Sequence, residues 1–116
     1  MSELPTTKEG RIVSGEKSTA LSVILNILLP GLGTIYAGKT QEGLIFLLAS
    51  LVIGFLECLE FFLLISTNTY DIAMFYLFLI IVCEIGYIAI FIYSIYRGVI
   101  LCRENNTLWQ DYLRNN

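Results

Sequence analysis

The sequence predicts an all-α integral membrane protein: a two-helix hairpin preceded by a Pro/Gly-broken hydrophobic segment, with two to three transmembrane helices. Three observations predict it. Hydrophobic residues make up 56% of the 116 residues and charged ones 15%, against about 45–50% and about 25% in soluble domains. Mean hydropathy is +0.73, so too little polar surface exists to cover an aqueous exterior. The apolar residues fall into three stretches, 18–38, 44–66 and 72–101, with joins of only a few residues. Three cysteines cannot complete a disulfide framework.

Residues 1–17 are polar and mixed in sign, with Pro5, Gly10 and Gly15, and read as a disordered tail. Residues 18–101 form the helical membrane domain, and 102–116 a polar C-terminal tail.

The first apolar stretch holds twenty-one uncharged residues between Lys17 and Lys39, interrupted by Asn26 and by Pro30, Gly31 and Gly33. Proline removes a backbone donor and clashes with the preceding turn, and glycine frees the chain to bend, so a break at Pro30 is expected. In hydrocarbon the released backbone groups need protein partners, so the segment is either a kinked span or a re-entrant hairpin. Charge separates the two. A span puts Lys8, Arg11 and Lys17 opposite Lys39, Arg97, Arg103 and Arg114, three against four; a hairpin puts all seven on one side and none in the 67–71 loop. The positive-inside rule favours the hairpin, with both termini cytoplasmic in a multi-pass protein of a plasma or inner membrane.

The second stretch contains Glu57 and Glu60. Sixteen Leu, Ile, Val and Phe residues lie between Leu44 and Ile65. At roughly −0.3 to −0.6 kcal/mol each they outweigh the about 2.5–3.5 kcal/mol cost of each carboxylate, so the stretch inserts. The third has fourteen such residues from Ile72 to Tyr96 against the single Glu84, and exceeds the roughly 20 residues needed to cross. At its end and past it, Tyr93, Tyr96, Arg97, Arg103, Trp109 and Tyr112 suit an interfacial position.

Residues 29–39, Leu-Pro-Gly-Leu-Gly-Thr-Ile-Tyr-Ala-Gly-Lys, followed by Gly43-Leu44-Ile45, resemble the Gly-x-x-Gly…Phe-Tyr-x-Gly segment of TM2-domain proteins and related small PGLG-type membrane proteins. The resemblance implies a glycine-rich turn followed by two hydrophobic helices and names no reaction. Carried over, Gly31, Gly33, Tyr36 and Gly38 form that turn together with Pro30. The same glycines allow a rival reading, a nest of backbone donors for a phosphate or lipid headgroup.

Ser50, Gly54 and Cys58 recur every four residues on the second stretch, a small-xxx-small pattern that lets helices approach closely. Cys83, Gly86 and Ala89 offer a partner surface on the third. Glu57 falls within about 60° of Gly54 at 100° per residue, with Glu60 at the edge of that face. Counted from the 67–71 loop, Glu57 and Glu84 differ in depth by about 4–5 Å, so they can meet. Carboxyls in a low-dielectric interior share protons or bind a cation. A structural role, protonated acids bonding across helices and to Tyr76 or Tyr87, stands beside a proton or cation pathway and beside acid–base chemistry on a lipid.

With no histidine in the chain, Ser-His and Cys-His catalysis, His-rich metal sites and His-ligated haem are excluded. Seven scattered Lys/Arg and a net charge of −3 leave no footprint for nucleic acid. No cofactor, metal or catalytic set is expected. The sequence points to a non-enzymatic scaffold or accessory subunit that binds the bilayer and other transmembrane helices, its own copy included. A proton or cation permeation element using Glu57, Glu60 and Glu84 is the alternative.

Overall fold

The computed structural model describes residues 3–8 and 10–115 and consists of four helices. They are α1 (Thr19–Leu28), α2 (Leu32–Tyr36), α3 (Thr40–Ser66) and α4 (Tyr70–Asn115). Two of them, α3 and α4, are long and apolar enough to cross a membrane.

Ser18 starts α1, its hydroxyl accepting the Leu21 amide at 3.1 Å. The helix lasts ten residues. Leu29, which precedes proline, turns extended at φ −156°, as the clash with the following ring requires. Gly31 then takes φ +101°, a left-handed conformation that a side chain disfavours. The chain reverses into the five-residue α2. At about 1.5 Å per residue, α1 reaches about 15 Å, half of a bilayer core. The two ends of this hairpin close on each other: the Lys17 ammonium donates to the Tyr36 carbonyl at 2.7 Å, and the Ser18 amide to the Tyr36 hydroxyl at 2.9 Å. The first hydrophobic stretch is therefore folded back and does not run straight.

The helices α3 and α4 form a long antiparallel pair. Glu42, in the first turn of α3, holds Arg97 of α4 with two hydrogen bonds of 2.7 and 3.0 Å, and Lys39 lies 3.6 Å from the same carboxylate. One turn further along, Phe46 meets Tyr93 edge-on at 5.5 Å.

The polar C-terminal segment is not a separate tail. Residues 102–115 continue α4 without a break, giving a 46-residue helix of about 69 Å, which sets the 72 Å length of the molecule. The described part of the N-terminal segment, expected to be disordered, is folded as well. Residues 5–8 and 10–13 make a tight reversal with a Thr6–Ile12 bridge and a 2.8 Å bond from the Val13 amide to the Pro5 carbonyl, and Val13 is buried. The strap is tied to the polar end of α4. Asn106 accepts from the Lys17 amide at 2.7 Å and donates to the Lys17 carbonyl at 2.8 Å, while Asn105 donates to the Gly15 carbonyl at 2.8 Å. Side-chain amides thus supply the partners that a sheet would otherwise give this backbone, a possibility that composition does not reveal.

Candidate functional site

Two constellations stand out, a buried polar seam between α1, α2 and α4, and a cleft in the apolar part of α3–α4.

The seam is built on small residues at four-residue spacing. Ser18, Ser22 and Asn26 of the α1 strand of the hairpin run antiparallel to Ser94, Gly98 and Cys102 of α4. Their contacts are the Cys102 thiol to the Ser18 carbonyl at 3.9 Å, Gly98 against the Ser22 hydroxyl, and the Asn26 amide to the Ser94 carbonyl at 2.8 Å. A Cβ on Gly98 would lie 2.8 Å from Asn26 Nδ2, so glycine is what lets the helices touch. Asn26 is fully buried and serves three backbones at once: its Oδ1 accepts the Gly31 and Gly33 amides at 3.0 and 2.9 Å, and its Nδ2 bonds to α4. These are the amides that the break at Pro30 deprives of helical partners. Ser22 closes the set by donating to the Gly33 carbonyl at 3.1 Å. Pro30, Gly31, Gly33 and Gly38 are all buried in this turn, and Tyr36 is half-buried at its exit. The Gly31 and Gly33 amides face Asn26, which leaves no nest of backbone donors there for an anion.

In the sequence Asn26 reads only as an interruption of the first apolar stretch, and the seam is not visible there. The signal was present as two small-xxx-small series, Ser18/Ser22/Asn26 and Ser94/Gly98/Cys102, masked because one lay across a proline-broken segment and the other across the presumed domain edge.

The small residues singled out instead, Ser50, Gly54, Cys58 and Gly86, do not form a tight face within the chain. A Cβ on Gly54 or on Gly86 would meet nothing within 4 Å. Ser50 is buried and bonds to the Leu47 carbonyl of its own helix, while Cys58 is exposed. The physical reason is the size of the neighbours: Phe61 and Tyr87 flank Gly54 and Cys58, and the helices part around a cleft of about 350 Å³ lined by Gly54, Glu57, Cys58, Phe61, Glu84 and Tyr87.

Glu57 and Glu84 thus enter one cleft from opposite helices. Glu60 looks across the helix pair to Cys83, whose thiol donates to its Oε1 at 3.5 Å. Glu57 Oε1 and Glu60 Oε2 are shielded from solvent and have no hydrogen-bond partner among the described residues. Among those residues no three His, Cys, Asp or Glu side chains gather as a metal site. Asn105, the first residue of an Asn-Asn-Thr sequon, is buried with its amide engaged.

No family model, no curated protein and no solved structure matches this chain. What it does must be argued from its own residues.

Proposed function

We propose that the chain is a multi-pass, non-enzymatic membrane scaffold or accessory subunit, whose α3–α4 hairpin crosses the bilayer and receives another transmembrane helix in the acid-lined cleft. The observation that carries this reading is the cleft itself. Gly54 opens on empty space near the middle of α3, and Glu57, which lines the same cleft, has a shielded Oε1 without a hydrogen-bond partner among the described residues. Shielded polar atoms without a bond cost about 1–3 kcal/mol each, so a helix bringing hydroxyl, amide or ammonium donors is the occupant that relieves them.

The setting supports it. Both long helices present apolar side chains outward, among them Phe55, Phe62, Ile65, Phe78, Ile85 and Ile92, all more than half exposed. A soluble surface does not carry so continuous an apolar band. If the Glu42–Arg97 pair marks one interface, the 67–71 loop lies about 36–40 Å away at helical rise, close to a bilayer's core plus part of its headgroups. Asn26 then sits about 4–5 Å inside that interface, and the Pro30 tip about 10 Å, so α1–α2 is a shallow re-entrant wedge. Its exposed Ile24, Ile27 and Leu28 face the acyl chains. All seven basic residues fall on the side of Arg97, which makes that side cytoplasmic. The likeness of residues 29–45 to TM2-type proteins accords with such an architecture.

Proton or cation permeation remains as a second reading, favoured by Glu57 and Glu84 sharing one cleft. A photo-crosslinking residue placed at Cys58 in native membranes tests the first. A discrete protein adduct that disappears with Gly54→Leu supports docking; adducts to lipid alone overturn it. Flux in liposomes that Glu57→Gln/Glu84→Gln abolishes at equal incorporation would install the second reading instead.

A further inference from the structure

The strap, the entrance to α1 and the α2–α3 corner bring basic groups to one place. The Arg11 guanidinium packs against Gly38, whose φ is +115°, with Arg11 Cζ 3.4 Å from where a glycine Cβ would stand, and reaches Thr40 Oγ1 at 3.5 Å. The Lys17 ammonium bonds to the Tyr36 carbonyl at 2.7 Å and lies 5.6 Å from the centre of the Tyr36 ring. Lys39 is the next residue after Gly38. Residues 36–40 therefore carry one cation, Lys39, and are met by two more, Arg11 and Lys17, from two other segments.

Arg11 and Lys17 are the two that lack a carboxylate among the described residues. Glu42 of α3 is already engaged, since Arg97 takes it in a two-bond grip and Lys39 shares one oxygen. Arg11 and Lys17 bond instead to a hydroxyl and a carbonyl. Burial first, and the Arg11 charge second, hold the Lys17 ammonium below its usual pKa. Asn105 and Asn106 hold the Gly15 and Lys17 backbones against α4, and Arg11 meets Gly38 two residues from the Tyr36 carbonyl that Lys17 binds.

We infer that this corner binds the phosphate of an anionic phospholipid, with Arg11 and Lys17 as its principal cations and Lys39 at its edge. Phosphate oxygens accept from several donors at once and neutralise crowded cations. Lipid is favoured over a soluble phosphate because the corner stands at the open end of the α1–α2 hairpin, whose outer residues Leu21, Ile24, Ile27 and Leu28 are 41–70% exposed. Charge above and an apolar flank below match a headgroup with its acyl chains, and each basic residue near an anionic surface contributes about 1 kcal/mol.

The test uses the full chain, delipidated in a neutral detergent and titrated with dioleoyl phosphatidylglycerol, dioleoyl phosphatidylcholine or inorganic phosphate, with retained ligand read by native mass spectrometry. We expect phosphatidylglycerol to be retained over phosphatidylcholine, and Arg11→Gln and Lys17→Gln each to weaken that retention by about fivefold. Arg103→Gln with Arg114→Gln, which removes two exposed cations of α4, should leave it unchanged. Should Lys17→Gln unfold, Arg11→Gln alone decides, because the exposed Arg11 side chain gives the fold one 3.5 Å hydrogen bond and its contact with Gly38. Equal retention of the two lipids, or equal loss in the α4 control, overturns the inference. Binding of inorganic phosphate without lipid preference overturns the lipid assignment. None of these readouts depends on the α3–α4 cleft.

Discussion

Asn26 shows how one side chain can make a broken segment stable. Pro30 ends α1 early and exposes two amides, and an amide group placed one turn upstream accepts both while its nitrogen binds α4. Asn26→Leu keeps the approximate volume but leaves three buried backbone groups without partners, at about 1–3 kcal/mol each. Unfolding of the variant in micelles should occur at least about 3 kcal/mol more easily, and wild-type stability would refute the role given to Asn26. Lys17 offers a second test at this scale. Burial first, and Arg11 second, lower its pKa in the folded chain. Folding therefore favours the neutral amine relative to the unfolded chain, so the Lys17 contribution to stability is full above the unfolded value and is lost as pH falls through the folded one. In protein carrying ¹³C-methylated lysines, the Lys17 resonance should titrate below the ordinary lysine range, and a titration within that range would refute the burial assigned to it.

Among the elements, the decisive contrast is between glycines that touch and glycines that do not. Gly98 is pressed on Ser22 and Asn26, whereas Gly54 and Gly86 face open space. Gly98→Leu should detach α1 from α4 and destabilise the chain by about 1–3 kcal/mol or more, the usual cost of overpacking a fitted interface. Gly54→Leu and Gly86→Leu should leave the isolated chain within about 0.5 kcal/mol. Limited proteolysis around Lys17 and Lys39, combined with melting in detergent, reads both effects. The α3–α4 contact has a different anchor. The Glu42–Arg97 pair is about four-fifths buried on both sides and bidentate, so removing one partner costs more than exchanging both. Glu42→Gln should loosen the start of α3, and the swap Glu42→Arg with Arg97→Glu should recover part of the loss, as followed by crosslinking between positions 46 and 93.

For the whole molecule, the geometry is that of a 72 Å rod only 17–19 Å thick, with a wedge and strap gathered at one end. The reading of this rod as a spanning hairpin predicts sidedness. In a chain with Cys58, Cys83 and Cys102 replaced by Ala, single cysteines at the exposed positions Ile12 and Leu113 should react with a membrane-impermeant maleimide from one side of the bilayer, and one at Asn68 from the other. Reaction of positions 12 and 68 from the same side would discard the hairpin topology.

The sequence alone indicated that the chain is helical, that its second and third apolar stretches are apolar enough to insert, that the first segment breaks at Pro30, and that Glu57 and Glu84 lie within about 4–5 Å of each other in depth. Each of these follows from local composition and from the regular geometry of a helix. The tertiary structure decided the rest. It ordered the strap against α4, carried α4 through its polar half, moved the close helix contact from Gly54 to Gly98, and gathered Arg11, Lys17 and Lys39 at one corner. Those outcomes depend on partners distant in the chain: Asn105 and Asn106 for a backbone some ninety residues earlier, and Ser94 for Asn26. Helical periodicity reports which face a residue occupies, but whether that face meets glycine, an aromatic ring or open space is settled only when the other helix arrives.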